Sequence, residues 1–386
     1  MDLNLTEEQR MLAETAQAFV ENEMLPYESE VEEKGEVSPE LGKRIRDRAI
    51  ELGLYAANLP ISVGGGGLDY SSLAVLEREY GKVSHALQGF AWRPTELLLA
   101  CTDDQIARYL DPCVRGEKTE CFAITEPGAG SDIYSMVTKA VKNNGNWILN
   151  GSKHFVSSHV LPDFAIVFAV TGLDQSNGSP RKRISSFLID RGTPGFDIRR
   201  GPRCVSQRAY HNYTLSFDDC SINQEQMLGQ EGEGLELANK WIRMGRVWVG
   251  AGCCGRAERL LDLSLEWAAN RKQFGQAIGH FQGTSFKIAD MATELQAADL
   301  MVMHAAYKAD QGEMTPKDAA MCKLFASEML HRVAENAVQI YGGMGLMEEF
   351  PIERLWRDSR LERIWEGTSE IQRHIISRSL LRPLGK

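Results

Sequence analysis

Two stretches of this 386-residue chain gather the residue types that chemistry needs. The first is Phe122-Ala123-Ile124-Thr125-Glu126-Pro127-Gly128-Ala129-Gly130-Ser131-Asp132. Its Pro-Gly-Ala-Gly-Ser portion can bring bare backbone against a ligand, and the Thr125 hydroxyl can donate to an acceptor. The second is Trp365-Glu366-Gly367-Thr368-Ser369-Glu370-Ile371-Gln372-Arg373. Here a carboxylate precedes glycine, and threonine and serine follow that can cap a helix beginning near Glu370. A carboxylate beside an indole in a closed cleft has a raised pKa, as a general base working near neutral pH requires. On the residues alone, plainer readings stand beside these. The first stretch also reads as a turn at a domain boundary, and the second as an exposed loop glutamate before a capped helix.

Other chemistries lack their residues. No GxGxxG follows a strand and opens a helix: Gly64-Gly65-Gly66-Gly67 lacks that context, and Gly342-Gly343-Met344-Gly345 lacks the third glycine at the right offset. There is no Walker A sequence, no GxSxG and no HExxH, and the eight histidines are scattered, so no metal site is expected. A formal charge of −10 disfavours nucleic acid, and the longest basic run is only Arg181-Lys182-Arg183. Hydrophobic residues at 43% and charged residues at 25% are globular proportions, and they rule out disorder as the main state. No run of about 20 apolar residues exists to span a membrane. The N-terminus lacks a basic segment followed by an apolar stretch. The eight cysteines show no CxxC spacing, which fits free thiols in a reducing compartment and a cytoplasmic location.

The elements that must hold the two stretches fall into three zones. Residues 1–120 read as helical. Thr6-Glu7-Glu8-Gln9 is a capping box, Ser38-Pro39 is a second helix start, Gly53 can close that helix, and Tyr70 to about Lys82 reads as helix again. Residues 121–230 change to strand patterns. Trp147 to Lys153 looks like a strand running into a turn; Phe164–Val170, Ser186–Ile189 and Tyr213–Phe217 follow. Asn144-Gly145, Asn150-Gly151, Asn177-Gly178 and Pro194-Gly195 separate them as turns. Residues 231–386 return to helices. Ile288, Met291, Leu295, Ala298, Val302 and Ala305 form a bundle seam, and Thr315-Pro316 opens a helix whose inner face is Cys322, Ala326, Met329 and Val333. Met301, Met303, Met314, Met321 and Met329 read as core. The fold expected is α+β, a small β-domain between helical domains.

Taken together, the two stretches resemble the acyl-CoA dehydrogenase family. The resemblance runs from Leu5-Thr6-Glu7-Glu8-Gln9 through Ile124–Asp132, Arg271-Lys272-Gln273-Phe274-Gly275 and Gln339-Ile340-Tyr341-Gly342-Gly343 to Glu366–Gln372. It implies an N-terminal helical domain, a middle β-barrel or sandwich domain and a C-terminal four-helix bundle. It also implies a homo-oligomer, usually a tetramer, with non-covalent FAD. Glu366 then matches the catalytic base that removes the α-proton while the β-hydride passes to flavin N5, giving a trans-2-enoyl-CoA. In relatives the base's own N–H helps bind the thioester carbonyl. An alternative base position matches Gly245, which cannot serve.

The resemblance carries further roles residue by residue. Phe122, Ile124 and Thr125 match the flavin ring wall. Phe155 and Ser157 fall where many relatives carry Trp-Ile-Thr. Thr368 and Glu370 match contacts near the FAD pyrophosphate and ribose. Arg271, Phe274, Gln282, Gln339 and Gly343 match the diphosphate and adenosine side of FAD on a neighbouring subunit. Arg271 also suits a helix C-terminus. Ser131 matches a contact to flavin phosphate or CoA, and Arg246, Trp365 and Gly367 match substrate contacts. Arg246 also reads as a surface ion pair. The implied partners are an acyl-CoA and an electron-transfer flavoprotein. The bulk of Trp365 points to a compact acyl group, and Arg93 reads either as meeting a polar acyl end or as a surface or interdomain residue. Ala306–Asp310 and Asp318–Lys323 resemble the crotonobetainyl-CoA reductase branch. A non-redox lyase such as a desulfinase is a further alternative on the same fold.

Overall fold

The computed structural model describes residues 5–174 and 180–384, so the Asn177-Gly178 turn lies outside the described residues. The chain opens in helices: α1 (Glu7–Glu23), α2 (Glu28–Lys34), α3 (Pro39–Glu51), α4 (Tyr70–Tyr80) and α5 (His85–Ala91), then the short turns α6 (Asp103–Gln105) and α7 (Asp111–Val114). Their starts are chemical. The Thr6 hydroxyl accepts from the Gln9 N–H while the Gln9 side chain accepts from the Thr6 N–H, and the Ser38 hydroxyl caps α3 ahead of Pro39. The middle of the chain is one mixed eight-stranded sheet. Its strands are β1 (Glu120–Ala123), β2 (Lys139–Asn143), β3 (Asn146–Ser158), β4 (Phe164–Asp174), β5 (Arg181–Asp190), β6 (Phe196–Arg200), β7 (His211–Asn223) and β8 (Met227–Leu228). The order is β6-β7-β3-β2-β4-β5-β8, with β1 parallel to β4.

The C-terminal part is again helical: α8 (Gly234–Asn270), a small hairpin of β9 (Lys272–Gln273) and β10 (Gln276–Ala277), α9 (Gln282–Asp310), α10 (Pro316–Tyr341), α11 (Pro351–Glu362) and α12 (Ser369–Leu381). Met291, Leu295, Ala298, Val302 and Ala305 of α9 and Cys322, Ala326, Met329 and Val333 of α10 are buried along the expected seam. One apolar core joins α1, α3, α4 and α5 to α8, α9 and α10. Gly255 permits the closest approach in it, because a Cβ there would stand 1.8 Å from the Arg78 carbonyl oxygen of α4.

Two expectations change. Asn150-Gly151 is no turn: β3 runs through it, with Gly151 at φ 142 and a shift of register against β7 between Leu149 and Gly151. Of the five methionines read as core, Met329 is fully buried and Met303 and Met314 pack partly against the core, whereas Met321 is 40% exposed. Met321 falls on the outer side of α10, where apolar composition does not reveal which way the side chain turns.

Candidate active site

The site is built around the α11–α12 connection. Glu366 takes φ +51 and Gly367 φ +93, so two successive residues lie in the left-handed region. For glycine this is free; for glutamate it costs on the order of 1–2 kcal/mol, a strain the surroundings must hold. They do so through the carbonyls. The Glu366 carbonyl accepts from Gln372 Nε2 at 3.1 Å and Arg246 Nε at 3.3 Å. The Gly367 carbonyl accepts from Gln372 Nε2 at 2.7 Å and Lys323 Nζ at 2.9 Å. Thr368 caps α12 by accepting from the Ile371 N–H.

The Glu366 carboxylate is thereby aimed at α8. A Cβ on Gly245 would lie 3.2 Å from Glu366 Oε2, so the missing side chain makes the room. Among the described residues neither the carboxylate nor the Glu366 N–H has a hydrogen-bond partner. Burial pushes the carboxyl pKa up, and Arg246, Lys323 and Arg93 draw it partly back. That is the balance a base in a cleft needs: enough burial to be basic, enough positive charge to ionise. Trp365 is pinned beside it. Its indole N–H donates to Glu362 at 2.6 Å, and Glu362 accepts from the buried Arg256, also at 2.6 Å. His85 packs 4.9 Å from the Trp365 ring and 5.9 Å from Tyr210, and burial drops its pKa to about 4, keeping it neutral.

The Phe122–Asp132 stretch starts on the sheet, in β1. Glu126 and Ala129 exchange backbone hydrogen bonds in a tight turn, leaving Pro127, Gly128, Gly130 and Ser131 exposed. Lys153 holds the turn from below. It is fully buried and donates to the Ile124 carbonyl at 3.0 Å and to Glu126 Oε1 at 2.8 Å; burial lowers its pKa to about 8, and Glu126 draws it back up. Phe155 follows on the bulge of β3, at φ +52 and 60% exposed. Ser157 donates to Asn212. An aromatic ring held out of the sheet by a bulge offers an apolar face to a flat ligand. Phe122 and Ile124 add an apolar wall, and Thr125 and Ser157 add hydroxyls. This set fits an isoalloxazine ring, and no Cβ would meet anything within 4 Å at Gly128 or Gly130, so the backbone there is open to a polar ligand.

The remaining sequence candidates stand elsewhere. Arg271, Phe274, Gln282 and Gln339 are exposed on the C-terminal helices and their hairpin, and Gly343 has no atom within 4 Å of a Cβ position. Phe274 is 94% exposed at φ +51. Glu370 is fully exposed, and its own backbone N–H and Thr368 lower its pKa, so it acts as a partner in the helix cap. Arg246, read as a substrate contact or a surface ion pair, donates from Nε to the Glu366 carbonyl. Sequence reasoning missed Lys323, Gln372 and Lys153. Two of them had a signal: Lys323 interrupts the apolar face of α10 between Ala319 and Ala326, and Lys153 sits in strand alternation with Trp147 and Leu149. Gln372 had none.

Comparison with known proteins agrees with this architecture. Models of the acyl-CoA dehydrogenase N-terminal, middle and C-terminal domains match residues 6–117, 121–220 and 232–381. The chain is 35% identical to the caffeyl-CoA reductase–Etf complex subunit CarC of Acetobacterium woodii over 98% of its own length and 99% of the relative's. It is 36% identical to an acyl-CoA dehydrogenase of Bacillus subtilis, again over 98% and 99%. The solved butyryl-CoA dehydrogenase of Megasphaera elsdenii superposes with a TM-score of 0.89 at 35% identity, covering 99% of this chain and all of that one. Among the described residues no helix is long and apolar enough to cross a membrane, and no group of three or more His, Cys, Asp or Glu could hold a metal ion.

Proposed function

Because the chain belongs to the acyl-CoA dehydrogenase family, we propose that it oxidises an acyl-CoA thioester to the trans-2-enoyl-CoA with Glu366 as base. One observation carries the reading: a strained, half-buried glutamate whose carboxylate and own N–H both lack a partner among the described residues, set over a glycine. The carboxylate takes the α-proton. The Glu366 N–H, held still by the carbonyl contacts of Gln372, Arg246 and Lys323, donates to the thioester carbonyl and stabilises charge building on its oxygen; such donors contribute roughly 3–4 kcal/mol. FAD, when bound against Phe122, Ile124, Thr125, Phe155 and Ser157, supplies the acceptor for the β-hydride. Ser131 and Gly367 bound the thioester and CoA side, and Trp365 limits the acyl group.

Arg271, Phe274, Gln282, Gln339 and Gly343 hold the far end of FAD on a neighbouring subunit. The exposed apolar residues Phe274, Phe286 and Leu346 on this part of the chain support assembly, as a tetramer. Electrons leave to an electron-transfer flavoprotein. The eight cysteines are all free, which supports work in the cytoplasm. A second reading is the reverse reaction, enoyl-CoA reduction with Glu366 returning the α-proton; the similarity to a caffeyl-CoA reductase subunit favours it.

Anaerobic mixing with acyl-CoAs graded in length, branching and polarity tests these. Dehydrogenation predicts rapid bleaching of the yellow flavin by at least one of them. Fast reoxidation of reduced enzyme by enoyl-CoAs, with no acyl-CoA bleaching it, would give the reductase instead. Loss of a β-substituent without bleaching would give a lyase.

A further inference from the structure

Arg93 follows α5 and does not lie at the surface. Its side chain is 6% exposed. One edge is paired with Glu77, itself 5% exposed and also accepting from the Trp92 indole at 3.1 Å and from Gln88 at 3.3 Å. Its guanidinium carbon lies 4.8 Å from the Trp92 ring centroid, 5.3 Å from Trp248 and 5.7 Å from Trp241. Trp241 and Trp248 flank Gly245 on one face of α8, since they sit four residues before it and three after it. The Glu366 carboxylate rests on that same Gly245. The base and the guanidinium are therefore set over neighbouring positions of a single helix face, with Tyr210 close to both.

This end of the cleft is rich in unpaired hydrogen-bonding groups. Among the described residues, Arg93 Nε, the Trp248 indole nitrogen and Glu96 Oε1 are all buried without a partner. Burial holds the Glu96 pKa up, although Arg93 and Asn58 oppose it. An orphaned indole donor beside a guanidinium whose own Nε is unpaired would be costly in an alkyl-binding pocket, where nothing arrives to satisfy them. An arginine also offers its planar fork to an oxygen more readily than a point charge does.

We propose that Arg93 determines specificity for a compact acyl-CoA carrying a hydrogen-bond-accepting oxygen on the acyl chain beyond Cβ, either a carboxylate or a neutral hydroxyl or carbonyl. The inference rests on Glu366 being the base that fixes where Cα and Cβ lie. Trp92, Trp241 and Trp248 surround the guanidinium, and Trp365 adjoins the base in sequence. Arg93 touches the acyl group and takes no part in proton transfer.

The test separates binding from turnover. CoA thioethers lack the carbonyl and cannot react, so their Kd values for the flavin-loaded enzyme report the pocket alone. Chains of equal length ending in methyl, hydroxyl or carboxylate are compared by calorimetry. Oxygen-terminated chains are expected to bind at least about tenfold tighter than methyl-terminated ones, and Arg93→Met to shrink the gap below about twofold. Carboxylate ahead of hydroxyl identifies an anionic acyl end, and the opposite order a neutral one. Arg93→Lys, which keeps the charge but not the fork, is expected to retain only part of the gap. It serves in place of Arg93→Met if that variant fails to load flavin. No preference in the wild type, or an undiminished preference in the variants, overturns the proposal. Thioesters of the same chains are mixed in parallel. A binding preference without any bleaching would contradict the dehydrogenase reading and leave the pocket inference standing.

Discussion

Glu366 is useful because its conformation is unfavourable. A left-handed glutamate relaxes unless its backbone is tied down, and donors from three helices tie it: Arg246 of α8 and Gln372 of α12 hold the Glu366 carbonyl, and Lys323 of α10 holds the next one, that of Gly367. Lys323 does more than hold. Burial lowers its pKa to about 8, while Cys253, Glu362 and Glu366 oppose that, so it is still largely charged at neutral pH and draws the Glu366 pKa down. Lys323→Met is expected to cut the rate of flavin reduction about 10- to 100-fold, the cost of a base displaced by a fraction of an ångström to an ångström. It should also move the acid limb of the pH–rate profile to higher pH, because a positive charge beside the carboxylate is gone. Rapid-mixing kinetics across pH 5 to 9 would read both. A slowed enzyme with an unmoved acid limb would mean that Lys323 only props the backbone.

Between elements, the N-terminal helices are locked to the C-terminal ones by charge as well as by apolar packing. Glu28 of α2 is buried. It accepts from Arg259 of α8 at 2.8 Å, from Arg354 of α11 at 2.7 Å and from the Ser84 N–H at 2.9 Å. Burial would raise its pKa, but the two arginines and the amide outweigh this and hold it below the ordinary value. A carboxyl with a depressed folded-state pKa contributes stability above its unfolded pKa and loses it as pH falls through the folded value. Glu28→Gln leaves two arginines facing a neutral amide and is expected to cost about 3–5 kcal/mol. Denaturant melts at pH 7 would show this, and the gap between variant and wild type should close as pH drops below 4. The helices and strands that place such groups were legible where local chemistry decides them. Thr6, Ser38 and Thr315 announce helix starts, and the period-three-and-four seam of α9 announces its buried face. Asn150-Gly151 misled because a turn dipeptide also suits a bulge within a long strand, and which it becomes depends on β7 pairing across from it. Of the site, Glu366 and the Thr125 turn stood out because their residue types cluster. Lys323 did not, because it reaches the site from a segment far away in sequence, and Gln372, only six residues after Glu366, carries nothing in its type to show which carbonyls it would hold.

At the scale of the whole molecule, the two regions proposed to face ligands differ in how complete one chain makes them. The sheet wall of Phe122, Ile124, Thr125 and Phe155 and the Glu366 loop are shaped within the chain. Phe274, presented on a hairpin that follows α8, is 94% exposed, and on the proposed reading a neighbouring subunit completes its region. The long helices α8, α9 and α10 serve both: their inner faces position Gly245 and Lys323, and their outer faces carry Phe286, Leu300 and Met321. On the proposed reading the chemistry depends on one carboxylate, that of Glu366, resting against Gly245 of α8. Its removal is the most direct test. Glu366→Gln keeps size and shape, so the purified variant should remain yellow with normal flavin content. On anaerobic mixing with the best acyl-CoA found for the wild type, it should bind the thioester but bleach at least about 10⁴-fold more slowly, since the proton has no acceptor. Bleaching at the wild-type rate would contradict the account and place the base elsewhere.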